Sequence, residues 1–175
     1  MKLLALCGSL RAASMNRSLL EACARVAPPF RVDIFRGLDA LPLFNPDLEA
    51  ALPAPVRELH AEIERMDALL IASPEYAHGV TGVLKNALDW LVSFPPFVDK
   101  PVAIFNASPR SVHADAALRE ILTTMSANLV TDACLALPLR STGPTVESIV
   151  AAHGVSMRAA LDCLAHEIAK AGKTC

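Results

Sequence analysis

KLLALCGSLRAASMN, residues 2 to 16, decides the fold. After Lys2, five residues form an apolar run too short for a helix and without the polar alternation of a half-exposed strand. That pattern predicts a strand buried on both faces. Gly8 breaks the run, and a polar turn follows with Ser9, Arg11, Ser14 and Asn16. A helical periodicity begins at once, placing Leu19, Leu20, Cys23 and Val26 on one face over 15–27. A buried strand, a short turn and a helix make the opening unit of a parallel α/β sheet.

The rest of the chain repeats this alternation. Pro28 and Pro29 stop the first helix, and FRVDIF (30–35) reads as a strand. Residues 36–54 are loop, punctuated by Pro42, Pro46 and Pro53. A helix is predicted over 55–66, a fully apolar strand over 68–73, and a loop over PEYAHGVTG. A helix over about 81–93 and a strand over 101–108 come next, then a helix over about 114–127. ACLALPL (133–139) reads as a weaker fifth strand, and residues 155–171 as the last helix. Right-handed crossovers reduce such an order to a doubly wound parallel sheet. Five strands fit the order 2-1-3-4-5 of the flavodoxin-like three-layer sandwich. The 175 residues suit one domain, taken as 1–175.

Composition narrows the function. Sixteen basic against eighteen acidic residues give a net charge of −2, and aromatic residues make up 5%. Neither suits nucleic-acid binding or an anionic membrane surface. No segment approaches the ~18 apolar residues of a membrane span, and the apolar run after Lys2 is too short for a signal peptide. The expected location is cytoplasmic. Cys7, Cys23, Cys134, Cys163 and Cys175 are far apart and the histidines are scattered, so reduced thiols and no metal site are expected.

In such a sheet ligands bind outside the carboxyl ends of the strands. That selects the loops 8–14, 74–80 and 107–113. The first leads into a helix N-terminus, where free N–H groups and the dipole favour an anion. Ser9, Ser14 and Asn16 add donors and Arg11 adds charge, although Ser14 also fits a plain helix cap. Neither GxxxxGK[ST] nor GxGxxG is present. The second loop holds the only tyrosine, Tyr76, beside Pro74 and Gly79. It suits a flat heterocycle, and His78 stands within reach of one or in solvent. The third, NASPRSVH, carries Ser108 and His113. Lys85 and Asp89, four apart on a helix, read as a solvated pair.

Two stretches, GSLRAASMNRSLL and SPEYAHGVTGVLKNALDWL, together resemble the signature motifs of the NADPH-dependent FMN reductase family, which includes quinone and chromate reductases and some azoreductases. The resemblance implies FMN as cofactor and NADPH or NADH as hydride donor. It also implies ping-pong transfer to a quinone-like or other small oxidised acceptor. It assigns Ser9, Arg11, Ser14 and Asn16 to the FMN phosphate, and Pro74, Glu75, Tyr76, Ala77 and the neighbouring His78 to the flavin ring. Ser108 falls on the far side of the pocket. No catalytic side chain is implied, because the chemistry is borne by the flavin; main-chain N–H groups of 74–78 are expected to face the ring. A homodimer or homotetramer is implied, with Trp90 and FPPF (94–97) as interface candidates or core. The family's Asn is Ala77 here and its Pro is Thr81, which suits a helix cap. RSVHA replaces the glycines usual in the third loop. The alternatives are a non-catalytic flavodoxin-type electron carrier and an α/β protein for another phosphate ligand.

Overall fold

The computed structural model describes residues 1–139 and 143–171. Cys175 therefore lies outside the described residues. The strands are β1 (Lys2–Cys7), β2 (Arg31–Ile34), β3 (Ala68–Ala72), β4 (Glu75–Tyr76), β5 (Gly79–Val80), β6 (Pro101–Asn106), β7 (Asn128–Leu129) and β8 (Leu135–Ala136). The α-helices are α1 (Met15–Val26), α2 (Ala54–Arg65), α3 (Gly82–Asp89), α4 (Val112–Thr124) and α5 (Val146–Ala171). The main sheet is parallel, with order β2-β1-β3-β6-β7, and β8 also pairs with β6. Counting the principal strands along the chain, this is the predicted order 2-1-3-4-5.

The continuous apolar strands are explained by two cores. Leu3, Ala5 and Cys7 point to one face, with Ala68, Leu70, Ala103 and Phe105, and pack under α1 and α5. Leu4 and Leu6 point to the other, with Leu69, Ile71, Val102 and Ile104, and pack under α2, α3 and α4. Because alternate residues face opposite sides, a strand covered on both must be apolar at every position. Each buried leucine contributes about 1.5–3 kcal/mol.

Three elements differ from the sequence reading. The fifth strand is split: β7 and β8 are separated by a 3-10 turn at Thr131–Ala133, and only Leu135–Ala136 of ACLALPL is strand. The third helix ends at Asp89, where the Trp90 N–H closes onto the Asn86 and Leu88 carbonyls. The last helix begins at Val146 rather than near 155. The Thr145 hydroxyl accepts from the Ser148 N–H (3.2 Å), and Gly154 sits within the helix, close to Val26 and Val150.

Trp90 is core, 1% exposed, so it is not an interface residue. Its ring meets Phe44 edge-on at 5.1 Å, and its indole N–H donates to the Pro42 carbonyl (2.8 Å). Asn86 works beside it: its amide accepts from Phe44 N–H (2.8 Å) and donates to the Pro42 carbonyl (2.9 Å). Both motif residues thus pin the 42–44 segment. Cys7, Cys23, Cys134 and Cys163 are free thiols.

Candidate functional site

The loops after β1, β3 and β6 join into one rim at the carboxyl end of the sheet. Gly8 makes the first junction. Its N–H donates to the Ala72 carbonyl (2.8 Å), and a Cβ there would stand 2.3 Å from Ser73 Oγ and 3.0 Å from Thr81 Oγ1. Only glycine lets the turn and the second loop approach so closely. Thr81 occupies the N-cap position of α3 but makes no side-chain cap; its hydroxyl lies 3.3 Å from Ser73 Oγ instead. The capping role read from the sequence is therefore replaced by a cross-loop contact.

In the turn itself, among the described residues, no backbone N–H from Ser9 to Asn16 reaches an acceptor outside the turn. Ser9, Ser14 and Asn16 are buried, and Arg11 is exposed. Ser14 caps α1: its Oγ accepts from Arg17 N–H (3.3 Å), leaving its own proton free to donate. The Asn16 amide oxygen is buried without a partner. Rotating the amide by half a turn presents its NH2 there, a donor for an anion.

The second loop is a β-hairpin, β4 pairing antiparallel with β5. Its tip, Ala77 and His78, has φ of 49° and 57°. This is the geometry of a two-residue turn that favours Asn-Gly. Tyr76 is 58% exposed at the rim, and Pro74 is half-buried. Two contacts fasten the hairpin to the third loop. Glu75 Oε2 accepts from Ala114 N–H (2.9 Å) in the first turn of α4, and the His78 and His113 rings stack at 4.3 Å. Ser108 begins a tight turn: its N–H donates to Asn106 Oδ1 (2.9 Å), and its carbonyl accepts from Ser111 N–H (2.9 Å). Asn106 is buried and organises this loop. The sequence reading missed it, because an Asn closing a strand looks like a turn former.

Arginines mark the same edge. Arg25, Arg31, Arg65, Arg119 and Arg158 pair with carboxylates, and Arg57 with the Leu52 carbonyl. Among the described residues, the guanidinium groups of Arg11, Arg17, Arg36 and Arg110 have no such partner. All four stand at the carboxyl end of the sheet, where they create a field for anions. Lys85 and Asp89 do form the expected surface pair. A recess of about 460 Å³ lies along the outer side of β2. Two ion pairs line it, Arg31 with Asp33 and Arg65 with Glu62, together with Lys2, Glu58 and the unpaired Arg36.

A sequence model of the NADPH-dependent FMN reductase family matches residues 1–141. The chain belongs to this family. It is 40% identical over 110 residues to an NAD(P)H-dependent FMN reductase of Pseudomonas aeruginosa, covering 61% of this chain and 60% of that protein. It is 35% identical over 113 residues to a quinone reductase of Escherichia coli, covering 62% and 60%. The chain thus spans about three fifths of the length of these relatives. In fold it is similar to FerB, a flavoenzyme NAD(P)H:(acceptor) oxidoreductase from Paracoccus denitrificans. The TM-score is 0.75 at 24% identity, covering 94% of this chain and 97% of that one.

The rim of this family member fits the phosphate end of FMN. The unpaired N–H groups, the free Ser14 proton and the Arg11 charge are donors without acceptors, and the Asn16 amide joins them when its NH2 is turned to the unpartnered position. A phosphate monoester is acceptor-only when ionised, so the chemistries match. Among the described residues, no helix is long and apolar enough to cross a membrane.

Proposed function

We propose that this chain is an NAD(P)H-dependent FMN oxidoreductase that reduces quinone-like or other small oxidised acceptors. The observation that carries the reading is the turn from Ser9 to Asn16, whose backbone N–H groups reach no acceptor beyond it among the described residues. Bound FMN supplies hydride acceptance and donation. The chain's own residues do the rest. Ser9, Arg11, Ser14 and Asn16 hold the phosphate. Pro74, Tyr76, Ala77 and His78 would border the ring, and the main-chain N–H groups of this hairpin would be the donors available to it. Glu75 acts as a positioning residue, because its carboxylate is engaged by Ala114 N–H. Ser108 closes the far side.

The names of the relatives support the activity and the acceptor class. Residues 1–175 act as one binding unit, and a cytoplasmic location is part of the proposal. Assembly into a homodimer or homotetramer belongs to the same proposal, and light scattering on the eluting protein tests it.

The decisive experiment is a visible spectrum of the protein with FMN, followed by NADPH without oxygen and then a quinone. Retained flavin that bleaches and recovers its colour on adding quinone is the expected result. Flavin that binds but stays yellow makes the chain a carrier. Failure to retain flavin overturns the reading.

A further inference from the structure

A second recess, about 240 Å³, opens between the carboxyl ends of β1 and β2, beside the phosphate turn. Cys7, Leu10 and Phe35 line its apolar part, and Arg17, Arg36 and Asp39 its polar part. Arg17 Nε is buried with no acceptor, and Arg36 has no ion pair. An unpaired buried donor is costly, and a guanidinium offers a planar fork matched to a phosphate.

We infer that this recess takes the 2′-phosphate of NADPH, held by Arg17 and Arg36. The inference rests on the function proposed above. Three considerations favour this occupant. The FMN phosphate already has the N–H groups of the Ser9–Asn16 turn, so the recess serves a second anion. The recess lies between β1 and β2, whereas the hairpin stands over β3 and β6. The two are separated by about two strand spacings, on the order of 10 Å. A dinucleotide whose nicotinamide reaches the hairpin runs back along this edge, and its adenosine end arrives at β2. A guanidinium is the group that accommodates a 2′-phosphate in Rossmann dinucleotide sites, and a carboxylate the group that accepts from a ribose hydroxyl there. This chain lacks their glycine fingerprint, and only that pairing of groups carries over. Both kinds of group line this recess. Two guanidiniums against one carboxylate decide for the phosphate. Asp39 then opposes the dianion and limits the preference.

The test uses the FMN-loaded protein and two readouts. Calorimetry with 2′,5′-ADP, 5′-AMP and inorganic phosphate reads the recess without turnover. The ratio of kcat/KM for NADPH to that for NADH reads it in catalysis. The 2′,5′-ADP is expected to bind at least about tenfold tighter than 5′-AMP, the size of one charge-assisted hydrogen bond. Arg36→Ala should lower both that preference and the coenzyme ratio about tenfold. Arg36→Lys should restore part of each, and Asp39→Asn should raise both. An Arg36→Ala variant with both ratios unchanged overturns the inference. So does inorganic phosphate competing as well as 2′,5′-ADP, or Arg17→Ala releasing FMN with the coenzyme ratio intact, which would assign the recess to the flavin phosphate. A protein that selects 2′,5′-ADP but is not reduced by NADPH keeps the recess and removes the proposed function. One reduced equally by both coenzymes, with no selection, does the reverse.

Discussion

Ala77 and His78 hold positive φ without being glycine, asparagine or aspartate. Each carries a backbone cost of about 1–2 kcal/mol. Such strain persists only where neighbours over-determine it, here through the Glu75 bond to Ala114 and the His78–His113 stack. Ala77→Asn is therefore expected to stabilise the protein by about 0.5–1 kcal/mol in urea denaturation, since Asn tolerates the left-handed region. The same geometry explains why the hairpin was not legible in the sequence. YAHG lacks the Asn-Gly that announces such a turn. The phosphate turn was legible, because its glycine, hydroxyls, amide and cation are the residue types the chemistry requires. What the residues did not reveal is that Ser14 serves two ends, capping α1 through its oxygen while its proton remains available. Arg11→Ala is expected to weaken FMN binding about tenfold or more, read by fluorescence quenching of added FMN, with urea stability unchanged because the side chain has no partner.

Among the elements, α4 depends on a side chain from another loop. Ser111 at its N-cap makes no side-chain bond, and Glu75 supplies the acceptor from β4. Glu75→Ala should cost about 1–2 kcal/mol, and Glu75→Gln less, because the amide keeps an acceptor but loses the charge at the helix N-terminus. Urea midpoints of the two variants check this order. A surface carboxylate without the contact would show no difference between Gln and Ala. The motif around Asn86 and Trp90 divides differently than its place beside the flavin-lining loop suggests. Both side chains face back into the protein and fix the 42–44 segment. Asn86→Ala is expected to cost about 1–3 kcal/mol, since Phe44 N–H loses its acceptor. The split fifth strand was not legible either, because ACLALPL has the apolarity of a strand while the break comes from the Thr131–Ala133 turn that takes in its first residue.

The whole molecule was the most legible level. Apolar strands flanked by helical periodicities leave little choice but a sheet covered on both faces, and the two cores fill those faces. One of them gives a pH dependence. Burial pushes the Cys23 thiol from an ordinary 9.0 up to about 12. The unfolded chain releases that proton near pH 9 while the native state keeps it. Stability from this group is thus complete below pH 9 and falls above it, by up to about 1.4 kcal/mol per pH unit. Lys100, whose pKa is lowered by desolvation, acts in the opposite sense, because the native state gives up its proton first. Urea midpoints measured from pH 8 to 10.5 are expected to fall, and Cys23→Ala to flatten or reverse the decline.

The divided fifth strand has one more effect. Between β7 and β8, the Ile104 amide on β6 donates to Cys134 Sγ (3.3 Å) rather than to a carbonyl. The thiol in turn donates to the Val130 carbonyl (3.5 Å). Sulfur is a weak acceptor. The strand therefore carries a soft point in its ladder, opening by local fluctuation instead of global unfolding. In deuterium exchange the Ile104 amide should label well before those of β1 and β3, marking the side of β6 that faces the divided strand as a place where the sheet opens locally.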